Sequence, residues 1–370
     1  MFTIEAQDIQ TQARTGTLIT RHGPVRTPLF MPVATKGTVK TLTAREVGDI
    51  GYEVILSNVY HLLERPGIEV IEDHDGLHGF MNWNGAILTD SGGYQVYSLH
   101  KMVRVEEDGV TFRSLIDGRE RHFTPELVLG YQERLGSDIA MQLDVCLPYG
   151  ASREATRNAL ERTLRWGART LAARTLDGQL VFGIVQGGFY EDLREESARR
   201  TVALGFDGYA LGGLSLGEPR EELLAMATTA LAVIPEEKPR YVMGLGDPPG
   251  ILEAIAYGVD MFDSALATRV ARGGAVFTPE GVTSIRNARY ERDTRPLVEG
   301  CMCPACAQFT RAYLRHLYLS EETLALRMFT AHNLTFIQQL IAGARLAIET
   351  GRYRSYLEEW RERFREGLAS

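Results

Sequence analysis

No stretch of the chain approaches the roughly 18 to 20 consecutive apolar residues that a membrane-crossing helix needs. The opening Met-Phe-Thr-Ile-Glu-Ala-Gln has no basic segment followed by an apolar one. No membrane association is therefore expected, and the expected compartment is the cytoplasm. Internal repeats, low-complexity tracts and linkers are missing too, so 370 residues read as one barrel-sized domain, 1–370, carrying insertions. An overall basic charge is also lacking. The formal net charge of -8 argues against an extended basic surface, although an average can hide a local patch. From Arg286 onward there are 13 arginines, no lysine and 10 acidic residues, which makes the last quarter positive. Its final arginines alternate with glutamates, a pattern that a solvated helix face explains as well as RNA binding does. Hydrophobic residues at 44% and charged residues at 24% are ordinary for a soluble globular chain, so core size is not limiting.

Cysteine is scarce, and its placement is informative. Three of the 4 cysteines fall in Cys301-Met302-Cys303-Pro304-Ala305-Cys306. Thiols this close cannot all pair as disulfides, but with one imidazole they complete a tetrahedral Cys3His shell of the kind zinc prefers. With all four positions filled by protein, such a zinc is structural. His332 is the favoured fourth ligand because a metal-bound loop usually takes its last ligand from a separate element. His316 is the alternative.

Eight short runs of branched and aromatic residues recur along the chain, at 28–33, 54–58, 86–91, 139–144, 181–186, 208–213, 241–246 and 259–263. Amphipathic stretches at 153–174, 191–204, 221–234 and 250–256 lie between or after them. Buried strands alternating with helices predict an α/β fold, a (β/α)8 TIM barrel. The Asp108-Gly109 and Asp117-Gly118 pairs predict two hairpin turns, making 103–123 a small antiparallel decoration. The metal cluster then lies after the eighth strand, as a zinc-binding subdomain at 280–335 inserted before the last helix.

Barrels place their chemistry at the C-terminal ends of the strands. Here those ends carry Asn58, Asp90, Asp144, Gln186, Gly213, Met243 and Asp263. A strand buried on both faces has no structural use for several carboxylates unless each is paired, so some of these are expected to be functional. Asp90, followed by Ser91-Gly92-Gly93, and Asp263 would face each other across the mouth. Two such carboxylates divide naturally into a nucleophile and a proton carrier, as in retaining glycosyl transfer.

These segments together closely resemble the tRNA-guanine transglycosylases, which exchange the wobble guanine of certain tRNAs for a 7-deazaguanine base. The resemblance covers almost the whole chain. It rests on Thr89-Asp90-Ser91-Gly92-Gly93-Tyr94-Gln95-Val96, Gly183-Ile184-Val185-Gln186-Gly187, Gly208-Tyr209-Ala210-Leu211-Gly212-Gly213-Leu214, Met261-Phe262-Asp263, Ser284-Ile285-Arg286-Asn287 and the cysteine–histidine signature. It implies a zinc-bearing barrel with His332 as the fourth ligand.

The same resemblance implies that Asp263 attacks the anomeric carbon of the wobble nucleotide and that Asp90 manages the protons. Asp144, Gln186 and the Gly213 N–H would read the base edge, with Ser91 and Cys146 in the same pocket, and Tyr94 and Met243 would sandwich the ring. Leu216 should crowd the cyclopentenediol of queuine. The favoured base is therefore 7-aminomethyl-7-deazaguanine, whose ammonium would meet the Leu214 carbonyl and Glu218. Expected RNA contacts are Arg286, the loop Thr268, Arg269, Val270, Ala271 and Arg272, and the loop Gly244, Leu245, Gly246, Asp247, Pro248, Pro249 and Gly250. Ala267 and Ala271 replace the family's usual proline and glycine. The expected partners are tRNAs with a G-U-N anticodon and a second copy of the chain, joined through Phe80, Phe309, Tyr313 and His316. Alternatives are a queuine-inserting enzyme of the same family, a non-catalytic tRNA-binding subunit, and a barrel hydrolase of small glycosides.

Overall fold

The computed structural model describes residues 1–99 and 103–369. Eight parallel strands run in chain order as β1 (Leu29–Pro32), β2 (Val54–Asn58), β3 (Ala86–Asp90), β4 (Ile139–Met141), β5 (Leu180–Val185), β6 (Gly208–Leu211), β7 (Arg240–Val242) and β8 (Met261–Ser264). Each pairs with the next, β8 returns to pair with β1 from Met261↔Leu29 onward, and a parallel bridge between Val33 and Leu56 joins β1 to β2. The sheet is thereby a barrel, as the eight recurring runs predict.

The strands are buried on both faces, and alternation sorts their side chains. Met31, Leu56, Leu88, Met141, Ile184, Ala210, Tyr241 and Met261 share the interior cluster. Phe30, Ile55, Ile87, Ala140, Val185, Leu211, Val242 and Phe262 join the larger cluster beneath the helices. Leu18 and Val25 belong to the interior cluster as well. They come from an N-terminal antiparallel sheet of Phe2–Gln7, Arg14–Thr20 and Gly23–Thr27. Arg14 of that sheet grips the buried Asp260, just before β8, with hydrogen bonds of 2.9 and 2.6 Å.

Several strands are shorter than their apolar runs suggest, and the difference positions the site. β4 ends at Met141, β6 at Leu211 and β7 at Val242, so Asp144, Gly213 and Met243 lie just past the ladder. Positive φ at Gly213 (69°) and Gly244 (77°) turns the chain out of the strand direction, which a side-chain-bearing residue adopts only with strain. The antiparallel decoration is present as Val103–Val105, Val110–Arg113 and Glu120–Phe123.

The expected loop at 268–272 is instead the end of a helix, Leu266–Arg272. Alanine is the strongest helix former, and Ala267 and Ala271, one turn apart, are fully buried. The Asn333 side-chain amide donates to the Ala267 carbonyl at 3.0 Å, tying this helix to the long helix Thr323–Glu349. That long helix has two duties. Met328 and Phe329 pack in the small core containing Cys303, Leu314 and Leu317, whereas Leu334, Ile337, Leu340, Ile341 and Ala344 pack in the main core outside the barrel.

Candidate active site and metal centre

Asp90 ends β3 with its side chain turned to the barrel axis, and it is 9% exposed. Its Oδ1 accepts from the Val59 N–H at 3.3 Å, and its Oδ2 accepts from the Gln95 amide at 2.9 Å and from the Asn58 amide. Burial in the barrel mouth pushes the carboxyl up to about 7. The three donors oppose that rise and the charge of Asp263 adds to it. Asp263, on β8, is half-buried. Its Oδ1 accepts from the Tyr241 hydroxyl at 2.5 Å and the Gly244 N–H at 2.8 Å. Oδ2 has no hydrogen bond among the described residues. Burial raises this carboxyl too, against those two donors.

Beside this pair, Asp144 Oδ2 accepts from the Gln186 amide at 2.6 Å, and burial pushes Asp144 up to about 6. A cavity of about 270 Å³ opens next to Gln186 and Gly213, walled by Val145, Leu147, Tyr149 and Phe189. The Cys146 thiol is pushed up to about 12 by burial and then by the Asp144 charge, which favours its neutral form. Ser91 and Leu214 are buried, Met243 is half-buried, and Tyr94 is 51% exposed. Glu218 accepts from the backbone N–H groups of Ser215 and Leu216 at 2.6 and 2.8 Å. Its carboxylate therefore holds the loop beyond Leu214.

The residues expected to meet RNA divide by exposure. Gly244, Arg269 and Arg286 are exposed, and Asp247, Pro249, Val270 and Arg272 are half-buried. Leu245, Gly246, Pro248, Gly250, Thr268 and Ala271 are buried and shape the surface from beneath. Arg286 lies over the Tyr318 ring at 5.1 Å and donates to its hydroxyl at 2.7 Å. Arg272 donates to the Thr268 carbonyl at 2.8 Å. Asp247 caps the helix Pro248–Ala256 and pairs with Arg220.

Sequence reasoning missed three features of this mouth. Tyr241 was legible only as a strand residue, although strand alternation puts it on the same face as Met243. Gln95 was part of a motif without a role. Lys36 and Lys40 are exposed beside Arg272, and the Lys40 ammonium is pushed down mainly by the Arg272 charge. No carboxylate lies within ion-pair distance of Lys36, Lys40, Arg269 or Arg272 among the described residues.

The metal-type cluster is compact. The sulfurs of Cys301, Cys303 and Cys306 lie 3.8, 3.3 and 3.3 Å from His332 Nδ1. All four ligand atoms lie within 4.8 Å of one another. A tetrahedron with arms of about 2.3 Å to sulfur and about 2.0 Å to nitrogen has S–N edges of about 3.5 Å, so the arrangement suits a metal of that preference. His332 Nε2 lies 2.8 Å from the Phe277 carbonyl. That contact places the ring proton on Nε2 and leaves the Nδ1 lone pair toward the thiols. His316 is exposed on the helix Arg311–Leu319 and outside the cluster. Phe309 and Tyr313 are in ring contact at 5.3 Å, and Tyr313 is 43% exposed. Phe80 lies elsewhere in the chain, in contact with His74.

The comparisons with known proteins bear on the whole chain. A family model described as queuine tRNA-ribosyltransferase matches residues 8–366. Similar proteins include the queuine tRNA-ribosyltransferase of Desulforudis audaxviator, 52% identical over 97% of each chain. That of Pelotomaculum thermopropionicum is 50% identical over 98% of each, and that of Desulforamulus reducens 48% identical over 98% of each. Together with the eight-stranded barrel and the Cys3His cluster, the family model and these relatives show that the chain belongs to the queuine tRNA-ribosyltransferase family.

Proposed function

We propose that this chain is a tRNA-guanine transglycosylase that replaces the wobble guanine of G-U-N anticodon tRNAs with 7-aminomethyl-7-deazaguanine, within queuosine biosynthesis. The observation that carries the reading is the pair of carboxyls with different environments at the barrel mouth. Asp263 has Oδ1 tied by two donors and Oδ2 free for attack. Asp90, poised at about 7, can give and take a proton near neutrality.

The sequence of steps follows from those roles. Asp263 Oδ2 forms a bond to the anomeric carbon as the bond to guanine breaks, and the electron pair leaves with the base, which Asp90 protonates. The tRNA is then held as a glycosyl ester. Asp90, now ionised, takes the ring proton of the incoming base, whose nitrogen displaces Asp263 and restores the carboxylate with net retention. Asp144 accepts from the ring N–H and amino group. Gln186 and the Gly213 N–H donate to the ring carbonyl, Tyr94 and Met243 cover the two faces, and Cys146 and Ser91 line the pocket.

Leu216 narrows the side on which queuine carries its ring, which favours the aminomethyl base, with its ammonium at the Leu214 carbonyl. Glu218 acts on that group by fixing the Leu214–Leu216 backbone. Arg269, Arg272 and Arg286, joined by Lys36 and Lys40, suit the phosphates of the anticodon loop. In the proposed organisation, one domain carries a subdomain at 280–335 in which Cys301, Cys303, Cys306 and His332 hold zinc. The bound ion would stiffen the loop and supply no catalytic step. The proposed assembly is a cytoplasmic homodimer through Phe80, Phe309, Tyr313 and His316.

The test is release of labelled guanine from a G-U-N anticodon transcript, with each base supplied in turn. Release driven by the aminomethyl base and not by queuine is expected. Release driven by queuine alone would overturn the base assignment, and no release with either would overturn the reading.

A further inference from the structure

Arg194 is the most completely buried cation near the mouth, at 0% exposure, and no carboxylate pairs with it among the described residues. A buried guanidinium without a counter-ion is costly unless its donors are used. Arg194 uses its two terminal amino groups on carbonyls, while its buried Nε has no partner among the described residues. Nη1 donates to Val185 at 2.9 Å and Gly212 at 2.8 Å, and Nη2 donates to Gly188 at 2.6 Å. Val185 ends β5, Gly188 lies just past it and Gly212 lies just past β6, beside Gln186 and Gly213.

The consequence lies on the far side of the Gly212–Gly213 peptide. In a trans peptide the C=O and N–H point in opposite directions. With the Gly212 carbonyl held on Arg194, the Gly213 N–H has to point away from it, toward Cys146. A charged donor on the carbonyl also polarises the peptide and strengthens its N–H as a donor. Two glycines make the arrangement possible. A Cβ on Gly213 would sit 2.8 Å from Gln186 Oε1, at a φ of 69°, and a Cβ on Gly187 would sit 2.6 Å from Arg194 Cα.

We propose that Arg194 is a positioning residue for base recognition, clamping the Val185, Gly188 and Gly212 carbonyls so that Gln186 and a polarised Gly213 N–H address a ring carbonyl. The ligand class is a 6-oxo purine or 7-deazapurine. The inference rests on the proposed base pocket but does not depend on the exchange chemistry.

The experiment is calorimetric binding of guanine and of 2-aminopurine, which lacks the carbonyl oxygen, to wild type, Arg194→Met and Arg194→Lys. Arg194→Met is expected to weaken guanine about tenfold, the scale of one charge-strengthened hydrogen bond, and to leave 2-aminopurine unchanged. Arg194→Lys should recover part of the loss, because an ammonium restores the charge without spanning all three carbonyls. If Arg194→Met does not fold, as judged by melting, Arg194→Lys carries the test through the same selective loss. Equal weakening of both ligands, or none of either, would overturn the inference. Failure of the wild type to bind guanine would instead count against the proposed function itself.

Discussion

The Tyr241 hydroxyl, at the base of the mouth, donates to Asp263 Oδ1 at 2.5 Å. Burial, and then the charge of Asp263, hold that phenol well above its ordinary range, so it stays protonated and donates to the carboxylate. A donor to a carboxylate favours the ionised form. Tyr241→Phe should therefore raise the Asp263 pKa further and move the acid limb of the rate profile to higher pH. A hydrogen bond to a charged group is worth about 1.5–3 kcal/mol, roughly one to two pKa units, so at pH values below the raised pKa, where the ionised fraction falls, covalent-bond formation should slow by roughly ten- to hundredfold. A pH–rate profile of adduct formation by the variant, unchanged in both position and height, would remove Tyr241 from the mechanism.

Asp90 carries a measurable stability signature. Its folded pKa of about 7 lies above the ordinary carboxyl value of about 3.9. Between those values the native state holds a proton that the unfolded state releases, so wild-type stability falls as pH rises through this window. Asp90→Asn cannot titrate. Its melting temperature relative to wild type should climb between pH 4 and pH 7, while exchange is lost. A difference that stays flat over this range would mean that Asp90 is already ionised at acid pH.

Arg269 projects from the Leu266–Arg272 helix without an acidic partner among the described residues, whereas Thr268 and Ala271 of the same helix face inward. Arg269→Ala should weaken tRNA binding and reduce the magnitude of its salt slope by about 1. Binding of the free base should not change. Filter binding across a salt series reads both quantities, and an unchanged slope would place the phosphates elsewhere.

Legibility in the sequence followed the range of the interactions. The eight barrel strands announced themselves because each is a short, doubly buried run, and the Cys3His set did so because three ligands are adjacent in the chain. Asp90 and Asp263 were legible as strand ends, and barrel closure accounts for their meeting. The Leu266–Arg272 helix was misread as a loop because the family pattern outweighed the helix preference of Ala267 and Ala271. Tyr241 and Arg194 gave little signal, since their roles depend on partners from other strands and loops. No local pattern marks an arginine whose hydrogen bonds, among the described residues, go to backbone carbonyls.

The Cys3His cluster and the barrel interior pack in separate clusters. Cys303 packs with Leu314, Leu317, Met328 and Phe329 in the small core, away from the interior cluster of the barrel. With the proposed zinc and the proposed homodimer, chelation should lower dimer content before the barrel's far-UV signal changes. Simultaneous loss of dimer and far-UV signal at one chelator concentration would contradict that order.

Covalent bonding of Asp263 to the RNA is open to test by denaturing gel electrophoresis of wild type and Asp263→Ala with an unmodified G-U-N anticodon tRNA. The account predicts a slow-migrating protein–RNA band in wild type, absent from the variant and discharged by 7-aminomethyl-7-deazaguanine. A band that persists in Asp263→Ala, or base exchange by wild type with no band trapped at any time point, would contradict it.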